Sequence, residues 1–128
     1  MNVVDSSGWL EYLADGPNAD FFANSILATA DLLVPTLSLY EVFKRVLQQR
    51  GEDDALQAVA LMQQGMIVEL SVSLALSAAR ISFNDKISMA DSVMLATARA
   101  YGATLWSQDS DFERVANVRY VAARKARD

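Results

Sequence analysis

Hydrophobic positions along the chain fall into short solid runs separated by stretches with helical spacing. Met1 to Val4 is an apolar run that stops at Asp5, and Ser6-Ser7-Gly8 then opens an amphipathic stretch carrying Trp9, Leu10, Tyr12 and Leu13. This predicts a strand, a turn and a helix. Gly16-Pro17-Asn18 ends that helix, and Ala19 to Ala28 predicts a second one with Phe22, Ile26 and Leu27 on its inward stripe. Leu32-Leu33-Val34 is the next solid run, cut by Pro35, and Ser38-Leu39-Tyr40-Glu41 has the S-x-x-E form of a capping box. A second strand therefore feeds a third helix that ends near Gly51. Glu52 to Gln64 continues as a helix with Leu56, Val59, Ala60 and Gln63 at helical spacing and Gly65 as its C-terminal cap.

The same alternation continues to the end. Met66 to Leu70 predicts a third strand, and Ser73 to Phe83 a helix through Leu76, Ala79 and Arg80 that Asn84-Asp85-Lys86 breaks. Ser88-Met89-Ala90-Asp91 begins another helix, which runs to Tyr101 and stops at Gly102. Thr104-Leu105-Trp106 is a compact strand, Ser107-Gln108-Asp109-Ser110-Asp111 an acidic turn, and Val118 to Val121 a last strand. The basic tail from Arg124 to Arg127 reads as loose. Strands that are apolar throughout and alternate with helices predict an α/β fold: three layers, α/β/α, around a central parallel sheet of four to five strands.

Composition narrows the chemistry. With 128 residues, 52% of them hydrophobic, the chain has material for one core, and residues 1–128 read as a single domain. No apolar run is long enough to span a bilayer. Asp5 and Glu11 interrupt what would be the apolar stretch of a signal peptide, so a cytoplasmic protein is expected. The chain has no cysteine and no histidine, which excludes thiol nucleophiles, thiolate metal sites and every triad built on imidazole. A net charge of −5 argues against coating nucleic acid through bulk electrostatics, so any such contact must be local.

Ligands of open parallel sheets sit beyond the carboxyl ends of the strands, and acids recur there. Asp5 follows the first strand, Glu41 lies in the first turn of the helix after the second, Asp91 opens a helix, and Asp109 lies just past Trp106. Taken singly, Glu41 reads as the capping partner of Ser38, Asp91 as that of Ser88, and Asp5 and Asp109 as turn residues. Taken together, four chain-distant carboxylates are placed to meet at one rim. Two unit charges about 4 Å apart repel by roughly 4 kcal/mol at an effective dielectric of about 20, whereas a helix N-terminus returns only about 0.3–1 kcal/mol. Such a cluster needs protons or a cation. Oxygen ligands without nitrogen or sulfur suit Mg²⁺ or Mn²⁺, and the chemistry implied is phosphodiester hydrolysis by a metal-activated water.

The stretch Ile87-Ser88-Met89-Ala90-Asp91-Ser92-Val93-Met94-Leu95-Ala96-Thr97-Ala98, followed by Gly102-Ala103-Thr104-Leu105-Trp106-Ser107-Gln108-Asp109-Ser110-Asp111-Phe112, resembles the C-terminal signature of PIN domains. Val3-Val4-Asp5-Ser6-Ser7 and Pro35-Thr36-Leu37-Ser38-Leu39-Tyr40-Glu41-Val42 match the same pattern in order and spacing. The likeness is greatest to VapC-type toxins of type II toxin–antitoxin pairs. It implies Asp5, Glu41, Asp91 and Asp109 as metal-site residues, Asp111 as a second acid acting through water, and Ser6 and Ser107 as supporting hydroxyls. Ser107 stands where such proteins often carry threonine, and Trp106 is larger than the usual aliphatic residue. The resemblance also implies a homodimer, cleavage of structured RNA such as tRNA or rRNA, and an antitoxin partner that covers the acidic pocket.

Basic residues offer an RNA path beside the acids: Lys44, Arg45 and Arg50 on the helix of Glu41, then Arg80, Lys86 and the tail from Arg124. Each alone also reads as an ordinary solvated charge. Of the aromatics Trp9, Phe22, Phe43 and Trp106, Trp106 is assigned to the core and Trp9 is left open between core and base stacking. Other classes fit less well. A haloacid-dehalogenase-like phosphatase needs a second aspartate where Ser7 stands, and a response-receiver module needs a lysine that the loop after Trp106 lacks. A PIN-type RNA-processing nuclease that is no toxin, and a catalytically silent binding module, are the remaining alternatives.

Overall fold

The computed structural model describes residues 1–125; Ala126 and Arg127 of the predicted basic tail lie outside them. Five strands, β1 (Asn2–Val4), β2 (Leu32–Pro35), β3 (Met66–Val68), β4 (Thr104–Ser107) and β5 (Val118–Tyr120), form one sheet in the order β3-β2-β1-β4-β5. Every neighbouring pair is parallel, with Val3 beside Leu33 on one side and Leu105 on the other. Among the described residues there are six α-helices: α1 (Ser6–Leu13), α2 (Ala19–Leu27), α3 (Thr36–Arg50), α4 (Glu52–Met62), α5 (Val72–Asp85) and α6 (Met89–Ala100).

Alternate residues of the central strands feed two separate cores, as the pleat requires. Val3, Leu33, Val68 and Leu105 pack with Leu74, Ala78 and Ile81 of α5 and with Met94, Leu95 and Ala98 of α6. On the other face Val4, Leu32 and Val34 pack with Trp9, Phe22, Ile26, Val42, Val46, Ala55, Ala58 and Met62 from α1 to α4. The expected three-layer α/β/α arrangement is therefore present, with a sheet of five strands whose central strands are buried on both sides.

Several local expectations are corrected. Helix α3 starts at Thr36, straight after Pro35, so Ser38 lies inside the helix and is no cap. Its buried hydroxyl donates to the Met94 sulfur at 3.3 Å across the molecule. The stripes of two helices are shifted. Helix α4 buries Ala55, Ala58 and Met62 while Leu56 stays 53% exposed, and Ala60 and Gln63 also face out. Helix α5 buries Leu74, Ala78 and Ile81 while Leu76, Ala79 and Arg80 face outwards. Small side chains sit on the sides of α4 and α5 that pack inwards, where close approach of neighbours favours alanine over leucine. Leu27 of α2 is likewise exposed. Gly65 does not cap α4, whose C-cap is Gln63. A Cβ at Gly65 would stand 2.9 Å from the Leu32 carbonyl oxygen, so glycine is there for close backbone approach to β2.

Candidate metal centre

Asp5 leaves β1 at its carboxyl end and becomes the N-cap of α1. Its backbone N–H bonds the Trp106 carbonyl at 3.1 Å, which seats the residue beside β4. The carboxylate, 2% exposed, is fixed from three sides. One oxygen accepts from the Gly8 N–H at 2.9 Å and the Ser7 hydroxyl at 2.7 Å, and the other accepts from the Ser107 hydroxyl. Ser107, wholly buried at the end of β4, also accepts from the Asp109 N–H at 2.9 Å. One hydroxyl thus ties the first acid to the loop of the last. Burial raises the Asp5 pKa; the bonds from Ser107, Gly8 and Ser7 pull against it, and the charge of Asp109 adds to the rise.

Asp91 sits in the first turn of α6, where Ser88 is the N-cap and accepts from the Asp91 N–H at 3.2 Å. The cap uses only the backbone of Asp91. Carboxylate oxygens of Asp91, Asp109 and Asp111 come within 4.8 Å of one another. Burial pushes the Asp91 pKa up to about 8, helped by the charge of Asp109, by hydrogen bonds with Asp109 and Asp111, and by the charge of Asp5. Asp109 caps a single 3₁₀ turn, Ser110–Phe112, accepting from the Asp111 N–H at 2.9 Å.

Glu41 reaches the same place from α3, one turn later than expected because that helix begins at Thr36. Its carboxylate accepts from the Ser6 hydroxyl at 2.6 Å. Pairing with Ser6 replaces the capping of Ser38 as its local role. A cavity of about 330 Å³ has Asp5, Ser6, Glu41, Arg45, Asp91 and Asp109 in its wall. All four expected acids therefore share one hollow, with both expected serines beside them. Asp5 and Glu41 line it without joining the tight trio, and Asp111 stands closer to Asp91 and Asp109 than its expected role through water implied. A cleft of about 390 Å³ between α1, α3 and α4 holds one acid, Asp54, which is paired with Arg50 at 3.9 Å.

Two supports went unread in the sequence. Ser7 is the first, legible only as a hydroxyl two residues after an acid. The second is Asn18, which the sequence shows only as part of a helix end. Its side-chain NH₂ donates to the Gln108 side chain and the Ala122 carbonyl, both at 3.0 Å, and its oxygen accepts from Arg124 at 2.9 Å. It thus braces the residue before Asp109 against the C-terminal segment. Trp9 is a core residue, fully buried, whose indole N–H has no partner among the described residues. Trp106 is only half-buried at the edge of the core, with its N–H on the Asn2 side chain at 2.8 Å.

The donor set fits a hard divalent cation. The desolvated carboxyls of Asp5 and Asp91 are relieved by positive charge, and the acids and serines of the hollow offer hard oxygen donors, as Mg²⁺ and Mn²⁺ prefer, with Met94 the one sulfur in its wall. The family profile described as PIN domain matches residues 3–118. The chain belongs to the PIN domain family. No curated protein sequence matches this PIN domain. Among solved structures it is similar to VapC20 of Mycobacterium tuberculosis, described as a sarcin-ricin loop cleaving toxin. The TM-score is 0.77 at 17% identity, over 93% of this chain and 98% of that one. It is also similar to a chain of a toxin–antitoxin complex from Klebsiella pneumoniae, with a TM-score of 0.76 at 16% identity, over 92% and 95%. FitAcB from Neisseria gonorrhoeae gives a TM-score of 0.72 at 19% identity, over 94% and 96%. At these identities the likeness speaks for the fold.

Proposed function

We propose that this PIN domain is a metal-dependent endoribonuclease, the toxin of a toxin–antitoxin pair, cutting structured RNA such as tRNA or rRNA by in-line hydrolysis. The observation that carries the reading is the gathering of Asp5, Glu41, Asp91 and Asp109 around one hollow, with Asp111 against the last two. Asp5, Asp91, Asp109 and Glu41 would hold Mg²⁺ or Mn²⁺, which when bound supplies a water of lowered pKa and positive charge beside the phosphoryl oxygens. Asp5 cannot swing away, because three donors fix both of its oxygens. Burial and the neighbouring acids favour the protonated form of Asp91, and a cation held beside it would favour the carboxylate. An ionised carboxylate of the cluster is placed to accept a proton from water.

The toxin assignment is supported by the family and by neighbours that include a toxin–antitoxin complex and a toxin that cleaves the sarcin-ricin loop. A cognate antitoxin, a homodimer and a cytoplasmic location belong to the same proposal; no described helix is long and apolar enough to cross a membrane. Purified protein should cleave RNA with Mg²⁺ or Mn²⁺ and stop on addition of EDTA. Asp91→Asn should cost more than the roughly 10–100-fold typical of groups that only support metal ligands. Cleavage that persists in EDTA, or survives Asp91→Asn unchanged, would remove the metal reading. Induction in cells with and without the neighbouring open reading frame tests the toxin role, and unaffected growth would count against it.

A further inference from the structure

An RNA strand entering a hollow walled by four acids, on a chain of net charge −5, meets repulsion that a nearby cation must offset. The basic side chains are unequal candidates, because most are already engaged or placed elsewhere. Arg50 pairs with Asp54. The Lys44 ammonium lies 5.7 Å from the centre of the Tyr40 ring, and the Arg119 guanidinium 5.9 Å from that of Trp106. Arg124 donates to Asn18 and to the Pro17 carbonyl. Arg80 and Arg99 line a separate cleft beside α5. Arg45 alone among the described basic residues stands in the wall of the acidic hollow. It lies one helical turn after Glu41, on the same side of α3. Among the described residues it has no carboxylate within ion-pair distance, although acids surround the hollow beside it.

We propose that Arg45 binds an RNA backbone phosphate at the mouth of the site and so sets how the strand enters. The planar guanidinium fork matches two phosphate oxygens, and an arginine without an internal ion pair gives up nothing to take them. The proposal rests on the ribonuclease reading for its substrate. It makes Arg45 a substrate-binding residue, apart from the acids that face the reacting atoms.

Binding and cleavage test it separately. Asp91→Asn protein, alone and with Arg45→Gln or Arg45→Lys added, is titrated in Mg²⁺ with a fluorescently labelled structured RNA across a salt series. Arg45→Gln should weaken binding roughly tenfold and flatten the plot of log K against log salt by about 0.7–0.9, the share of one phosphate contact. Arg45→Lys should recover part of the affinity, since it keeps the charge and loses the fork. In the otherwise wild-type enzyme, Arg45→Gln should raise KM more than it lowers kcat, with Mn²⁺ affinity held. Equal affinity and salt slope for Arg45→Gln, with KM unchanged in the otherwise wild-type enzyme, would overturn the proposal. Binding that depends on Arg45 in a protein that cuts no RNA would refute the nuclease reading and leave the role of Arg45 standing.

Discussion

Ser107 receives the Asp109 N–H and donates to Asp5, so two acids from opposite ends of the chain share one buried oxygen. Replacing Ser107 with alanine leaves a buried carboxylate short of a donor. Such a loss costs about 1–3 kcal/mol of stability, and removing a hydroxyl that holds a metal-site carboxylate in place costs roughly 10–100-fold in metal affinity or activity. Urea unfolding and Mn²⁺ titration of Ser107→Ala measure the two effects, and Ser107→Thr, which keeps the hydroxyl, should restore both. Asp91 gives a second prediction at this scale. Its pKa rises from 3.8 to about 8 in the folded chain, so the folded state binds the proton more tightly than the unfolded one. Stability therefore falls as pH rises between those values, opposite to the usual carboxylate trend. In EDTA, thermal unfolding should show Tm dropping from pH 5 to about 8. Asp91→Asn should flatten that slope and raise Tm at the alkaline end, and Mg²⁺ should reduce the slope in the wild type. A Tm that climbs with pH would contradict the burial assigned to Asp91.

Strands β1 to β4 are plain in the sequence because each is a largely apolar run ended by a polar or turn residue, the pattern of parallel strands covered on both faces, whereas the edge strand β5 is broken by exposed Arg119. Helix existence was equally plain, whereas the inward face of α4 and α5 was not. A periodic pattern weights large aliphatics, yet these helices turn Ala55, Ala58 and Ala78 inwards and leave Leu56 and Leu76 outside. The start of α3 was misplaced for a related reason: S-x-x-E fits a cap at Ser38, but Pro35 already ends the strand and opens the helix. The shifted face makes a direct prediction. Leu56→Ala should change stability by no more than about 0.5 kcal/mol, while Ala58→Leu should destabilise by about 1–3 kcal/mol through overpacking against its neighbours. The reverse order in urea unfolding would restore the stripe read from the sequence.

At the scale of the whole molecule, the parallel sheet turns distance along the chain into proximity. The carboxyl ends of β1 and β4, the second turn of α3 and the first turn of α6 all open on one rim, so acids at positions 5, 41, 91 and 109 share a hollow. Their positions at strand ends and helix starts were legible in the sequence. Their bracing was not, since the bonds of Asn18 to Gln108, Ala122 and Arg124 join segments about 90 or more residues apart. No local spacing encodes such a contact. Binding of a hard divalent cation at this rim can be seen by anomalous diffraction from crystals grown with Mn²⁺. An anomalous peak is expected among the carboxylates of Asp5, Asp91 and Asp109, and none in Asp91→Asn crystals. A hollow without Mn²⁺ at millimolar concentration, in crystals where Asp5, Asp91 and Asp109 are well ordered, would contradict it.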